Sequence, residues 1–334
     1  MKQIIRVTTS LVLAISLLVN TIQPVVAKDT LGIHILSPHD LDEAQQLLSV
    51  KENEDDWKYL TVPLTLNDLD DVTLWQRFFD EAKSHKMIPI VRLATRVENG
   101  GWIKPNRWQI VRMINFLNLL DWPTEDRYII VFNEVNHAKE WGNDINPEEY
   151  AQILEFTSRW ARTEPHNYQV LPAAMDLAAP NSQETMEAFT FLERMYQTNP
   201  KIFEFIDIWN SHSYPNPGFS SPPTLNTKNS MRGFLHELDY LKRKTGRDYQ
   251  VMITETGWTV NKSTAPWLKN YYLYALQHIW SDPQVIAVTP FVAKGAPGPF
   301  ANFSFYTAEG EPTVHYEALQ EALKIWHQQN LDQK

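Results

Sequence analysis

Two glutamates carry the clearest chemical signal in this chain. Glu134 closes the apolar run Tyr128–Phe132 (YIIVF), with Asn133 between, and Glu255 directly follows Gln250–Thr254 (QVMIT). A glutamate forms strands poorly and is costly to bury unpaired, so its place at the end of such a run needs a reason. Two carboxyls about 5–5.5 Å apart can cleave a glycosidic bond with retention, one as acid and then base, the other as nucleophile. The acid must hold a proton before attack, and the nucleophile must be ionised. A pair of solvated loop carboxylates is the plain alternative.

The elements that would position them alternate regularly. Short β-branched or aromatic runs fall at Leu31–Leu36, Tyr59–Leu64, Ile88–Leu93, Tyr128–Phe132, Gln169–Ala173, Phe205–Trp209, Gln250–Thr254 and Val285–Val292. Most are continuously apolar, as strands buried on both faces should be. Between them, three- and four-residue spacing predicts helices over Leu74–His85, Trp108–Leu120, Pro147–Arg162, Gln183–Gln197, Met231–Lys244 and Trp267–Trp280, with a last one from about His315 to His327. Pro147, Glu148 and Glu149 suit a helix start, and Gly246 suits a stop. The expected fold is α/β, a single-domain (β/α)8 TIM barrel over residues 28–334. An open doubly wound sheet is the alternative. In a barrel, strands four and seven face each other across the mouth where active sites form. The first 27 residues read as a signal peptide: Lys2 and Arg6, an apolar core Leu11–Val19, then Val25-Val26-Ala27. That core falls short of the roughly 20 residues needed to span a bilayer. The expectation is secretion, extracellular or periplasmic, with cleavage near Ala27 and no stable membrane insertion.

Composition narrows the chemistry further. At 334 residues and 43% hydrophobic, with a formal charge of −10, the chain can bury a core and is a poor candidate for nucleic acid or strongly acidic polymers. The absence of cysteine excludes thiol catalysis and zinc–thiolate sites. No dinucleotide, phosphate-loop or nucleophile-elbow motif occurs. His236-Glu237 lacks a second histidine, and His137 with Glu140 is the nearest approach to a metal pair. No cofactor and no metal are expected. A lyase or aldolase barrel would need a lysine at a strand end, and Lys294 lies beyond the eighth.

The run Tyr128–Val135 (YIIVFNEV) and Ile253–Trp258 (ITETGW) resemble family 17 glucan hydrolases. Ser211–Pro215 (SHSYP) is similar to the His-x-Tyr of family 5, and Phe305, Gly310, Pro312, Tyr316 and Leu319 to the closing segment of many members of clan A. The resemblance, spread from Leu31 to about Leu323, is to clan A glycoside hydrolases. It implies a (β/α)8 fold, Glu134 as acid/base and Glu255 as nucleophile. It further implies Asn133 on the sugar 2-hydroxyl and Tyr214 steadying the nucleophile. Arg92, ending the third run, could help keep Glu255 ionised, and His212 could bond a sugar hydroxyl. Aromatic side chains stack on the apolar faces of sugars, which makes Trp141 and Trp258 candidate platforms and Trp102 a weaker one. Trp108, Trp160, Trp267 and Trp280 read as packing against the barrel. Phe291 stands where the eighth strand of the clan often ends in Trp, and Thr259 where family 17 would have Pro. The expectation is a monomeric retaining enzyme on a neutral, β-glucan-like poly- or oligosaccharide. A catalytically silent carbohydrate-binding or polysaccharide-export accessory barrel is the alternative.

Overall fold

The computed structural model describes residues 30–49 and 56–331, so the expected signal segment lies outside the described residues. Eight strands form the centre: β1 (Gly32–His34), β2 (Lys58–Leu64), β3 (Met87–Leu93), β4 (Asp126–Val131), β5 (Asn167–Pro172), β6 (Trp209–His212), β7 (Val251–Glu255) and β8 (Val285–Val288). Helices follow them in turn: α1 (Leu41–Leu48), α2 (Val72–Ser84), α3 (Arg107–Asn118), α4 (Pro147–Ala161), α5 (Ala188–Thr198), α6 (Gly233–Thr245), α7 (Leu268–His278) and α8 (Val314–Leu331). Every ladder between neighbouring strands is parallel, in two arcs, β1 to β5 and β6 to β8.

The arcs meet edge to edge. At one seam Leu31 pairs with Val288, and the Val288 amide donates to Thr30 (2.7 Å) and that of His34 to Pro290 (3.0 Å). At the other, Asp207 takes the place of a ladder. Its amide donates to the Val170 carbonyl (3.0 Å) and its carboxylate accepts the Val170 amide (2.9 Å). The strand order is consecutive and returns on itself, as in a (β/α)8 barrel and unlike a doubly wound sheet.

Helices cover the outer strand faces, where Leu60, Val62 and Leu64 join Trp75, Phe78 and Phe79 in the main core. A separate apolar plug of Tyr59, Ile88, Ile90, Tyr128, Ile130 and Met252 fills the barrel. Strand side chains alternate faces, so Ile88, Ile90 and Arg92 climb one inner face and Arg92 emerges at the mouth. Above the plug lies a polar layer. Thr61 and Thr289 share a hydroxyl bond (2.8 Å), Thr289 donates to Thr254 O (2.8 Å), and Thr254 donates to Asn210 (2.6 Å).

Element ends follow the expected signals where local chemistry decides them. Asn146 caps α4 ahead of Pro147, and Gly246 ends α6 at φ 72°. Three expectations need correction. The sixth strand starts at Trp209 rather than Phe205, because Ile202–Phe205 form a 3-10 turn whose Ile202 and Phe203 are buried. The α5 helix starts at Ala188 rather than Gln183. Trp108 and Trp267, expected to pack, are 68% and 53% exposed.

Candidate active site

A cavity of about 660 Å³ opens at the C-terminal ends of the strands and is lined by both Glu134 and Glu255. The chain leaves β4 abruptly. Phe132 and Glu134 adopt φ 69° and 30°, a left-handed conformation unusual for residues with side chains and common at functional sites. The turn is over-determined by its neighbours. The His137 amide donates to Glu134 O (2.8 Å), and buried Asn136 donates to Asp176 O and Met186 O (both 3.0 Å).

Glu255, at the last position of β7, is almost enclosed. Arg92 Nη1 donates to its Oε1 (2.8 Å) and the Tyr214 hydroxyl to its Oε2 (3.1 Å). His212 Nδ1 stands 3.6 Å and His34 Nδ1 3.8 Å from its oxygens. Burial opposes ionisation of Glu255, but the charges of His212 and Arg92 and the Tyr214 hydroxyl more than offset it. The carboxyl is therefore held below the usual carboxylate range. Burial together with Glu255 and Glu134 raises Tyr214 well above the ordinary phenol, so it stays a donor. Burial pushes His34 down to about 4, leaving it neutral with Nδ1 at 3.2 Å from Thr254 O.

Glu134 meets His212, whose Nδ1 lies 2.8 Å from Oε1. Burial lowers the pKa of His212, but the nearby Glu255 charge and the Glu134 contact raise it further, so the net direction is upward. One oxygen of Glu134, one nitrogen of His212 and one oxygen of Glu255 all lie within 4.8 Å of one another. These three are the potential metal-ligand triad found among the described residues. Arg92, in contact with Glu255, already supplies a positive charge there. Arg92 also donates to Asn133 Oδ1 (2.8 Å), tying Asn133 to the same cluster.

Thus Arg92, Asn133, Glu134, His212, Tyr214 and Glu255 come together. The two tryptophans expected as platforms do not. Trp141 is 1% exposed, packs against Phe132 and Tyr150, and donates to Glu149 (3.0 Å). Trp258 is 0% exposed, packs on Tyr271 and Tyr272, and donates to Ser221 O (2.9 Å). Both belong to packing, their indole N–H groups satisfied inside. The weaker candidate, Trp102, does line the cavity.

Three further groups line the cavity; the sequence singled out Phe291 and the pair His137 and Glu140 among them, but not as parts of this site. Phe219, Phe291, Phe300 and Phe303 form an edge-to-face wall beside Tyr214. Opposite them, His137 pairs with Asp176 (2.9 Å). Glu140 is a further carboxyl lining the cavity, beside Glu134, Asp176 and Glu255. Burial and the charge of Glu134 raise it to about 7, while Arg92 and a hydrogen bond from Asn133 partly oppose this. The spacing Glu134, His137, Glu140 was a signal for the last two.

No protein-family model matches the sequence, and no curated protein matches it. Solved structures do. An endo-β-1,4-glucanase of Xanthomonas axonopodis pv. citri shares 12% identity at TM-score 0.54, over 89% of this chain and 99% of that one. A family 128 (subgroup II) endo-β-1,3-glucanase of Pseudomonas viridiflava shares 16% at 0.54, over 87% and 96%. Xylanase 10B of Thermotoga maritima shares 16% at 0.56, over 92% and 97%. These are (β/α)8 enzymes of clan A, and family 5 also occurs among the similar structures. At such identities the likeness establishes the shared fold. It says nothing of activity.

Proposed function

We propose that this chain is a retaining glycoside hydrolase, with Glu255 as nucleophile and Glu134 as acid/base. The observation that carries the reading is the carboxylate pair, with one oxygen of each within 4.8 Å. That suits the close pair of a retaining enzyme, about 5–5.5 Å, better than the roughly 6.5–9.5 Å of an inverting one. In the first step Glu255 attacks the anomeric carbon while Glu134 protonates the departing oxygen. In the second, Glu134 deprotonates the water that releases the sugar. With His212 on Oε1, the Oε2 atom of Glu134 is left to carry the proton. Arg92 and Tyr214 hold the nucleophile ionised and aimed. Asn133 and the aromatic wall supply sugar contacts.

The substrate class follows from charge. The cavity presents Glu134, Glu140, Asp176 and Glu255 against Arg92, which is itself paired. A neutral glycan is therefore the substrate class of this reading, a β-glucan being what the sequence resemblance adds, and the chain acts outside the cell after cleavage near Ala27. The test incubates residues 28–334 with a panel of neutral glucans and xylans, following new reducing ends by proton NMR. Retention predicts that the β-anomer appears first from a β-linked glycan. The α-anomer appearing first contradicts the mechanism, and silence on the whole panel favours a binding role.

A further inference from the structure

The cavity has two unlike sides. Phe219, Phe291, Phe300 and Phe303, from the loops after β6 and β8, line one of them. Tyr214 joins that side to Glu255, with its ring 5.0 Å from Phe219 and its hydroxyl 3.1 Å from Oε2. The other side carries His137 and Asp176, from the loops after β4 and β5, and both are fixed to the surroundings of Glu134. The His137 amide donates to Glu134 O (2.8 Å). The Asp176 backbone bridges to that of His212, whose ring meets Glu134 Oε1 at 2.8 Å. Paired carboxyls of a glycosidase flank the scissile bond, with the acid beside the departing oxygen. The departing group therefore lies on the side of His137 and Asp176.

The two loops do not need this pair to hold them together. Buried Asn136 already ties them, donating to Asp176 O and Met186 O (both 3.0 Å) and accepting the Asp176 amide (3.1 Å). The Ala138 amide adds a bond to Glu184 O (2.8 Å). Yet the His137 and Asp176 side chains, 2.9 Å apart, stay 32% and 29% exposed. A carboxylate only accepts, so His137 Nε2 carries the proton between them. That leaves Nδ1 with no hydrogen-bond partner among the described residues. The Asp176 bond raises the His137 pKa, burial opposing it, so Nδ1 is readily made a donor. Asp176 accepts the Ala178 amide at Oδ1 (2.8 Å) and His137 at Oδ2, which leaves acceptor room on both oxygens. A donor beside an acceptor matches two neighbouring hydroxyls of a sugar ring. Resting on the hydrolase reading above, we propose that His137 and Asp176 form a subsite for a departing sugar, gripping two of its neighbouring hydroxyls while Glu134 protonates the oxygen it leaves with. The bond this site is built to cut then joins two sugars, not a sugar and an apolar aglycone.

Two substrates with the same glycon test this: an aryl β-glycoside, whose leaving group has no sugar hydroxyls, and the β-linked oligosaccharide in which a sugar replaces the aryl group. His137→Ala and Asp176→Ala should each lose at least about tenfold in kcat/KM on the oligosaccharide, and less than about threefold on the aryl glycoside. Asp176→Asn keeps an acceptor oxygen, so it should lose less on the oligosaccharide than Asp176→Ala. Equal losses on the two substrates would make the pair structural, and no loss on either would make it idle; each result overturns the subsite.

A second readout needs no turnover. In the Glu255→Ala chain labelled with 15N-histidine, the His137 ring signals are assigned by their loss in His137→Ala. They should shift on titration with β-linked glucose and xylose disaccharides. Ring signals unmoved by every disaccharide would overturn the subsite. If Glu255→Ala kept full turnover of the aryl glycoside, the hydrolase reading itself would fail, and the His137 signals would still judge whether this side of the cavity binds sugar.

Discussion

At the residue scale, what the sequence revealed was polarity in the wrong place. Glu134, Glu255 and Arg92 interrupt or end apolar strands, and Tyr214 and His212 follow one closely, so their convergence at the mouth was legible. The tryptophans were not, because an indole just past a strand end can turn to the cleft or to the neighbouring helix with the same spacing. Trp141 and Trp258 turned inward, where Glu149 and Ser221 O satisfy them. His34 was hidden for the opposite reason, since a histidine within LGIHIL looks like any satisfied core histidine. Tyr214 gives the sharpest single-atom prediction. Its hydroxyl is 3.1 Å from Glu255 Oε2, and losing a hydrogen bond to a charged group costs about 1.5–3 kcal/mol, or roughly ten- to 150-fold in rate. Tyr214→Phe should lower kcat by that factor while circular dichroism and thermal unfolding stay close to wild type. Unchanged turnover would reduce Tyr214 to packing.

At the element scale, strand cores and helix caps were readable because they depend on a few adjacent residues. The α1 helix escaped notice because its apolar stripe is only Leu41, Ala44, Leu47 and Leu48. The sixth strand was set too early because its apolar lead-in packs as a turn while Asp207 closes the seam. No local pattern reports a carboxylate that replaces a ladder. Helix α6 carries a second buried acid. Glu237 is 0% exposed, accepts from Ser211 Oγ (2.5 Å), and is raised by burial to about 7 from its ordinary 4.5. Because the folded pKa is above the unfolded one, the folded state keeps a proton that the unfolded state releases between those values. Stability contributed by Glu237 is full below about pH 4.5 and falls as pH rises to about 7, by at most about 3 kcal/mol. Glu237→Gln preserves an acceptor for Ser211 and removes the titration. Urea unfolding at several pH values should show a flatter profile for the variant, more stable relative to wild type at pH 8 than at pH 4.5. Parallel profiles would contradict the buried ionisation.

At the scale of the whole molecule, eight strand-like runs, seven of them followed by helical spacing, were enough to expect a barrel, since the pattern repeats from Leu31 to the last helix. How the two arcs join was not foreseeable, because the seams rest on a few long-range bonds rather than on strand propensity. Among the described residues no helix is long and apolar enough to cross a membrane. The net charge of −10 and the carboxylate-lined cavity act together on any incoming polymer. An anionic glycan should be cleaved more slowly than its neutral parent at low salt. The gap should narrow as ionic strength rises past about 0.1 M, where the Debye length is near 10 Å. Rates on a neutral glucan and its carboxymethylated derivative, measured across a salt series, check this; a ratio indifferent to salt would contradict it.

The division of labour between the two glutamates is tested most directly with an activated aryl β-glycoside, with and without azide. A good leaving group departs without a proton, so Glu134→Ala should still form the glycosyl-enzyme and then stall for want of a base. Azide should relieve that stall and yield a glycosyl azide of retained configuration. Glu255→Ala, lacking the nucleophile, should not turn the substrate over with retention under either condition. The opposite pattern, retention by Glu255→Ala and a dead, azide-insensitive Glu134→Ala, would contradict the assignment.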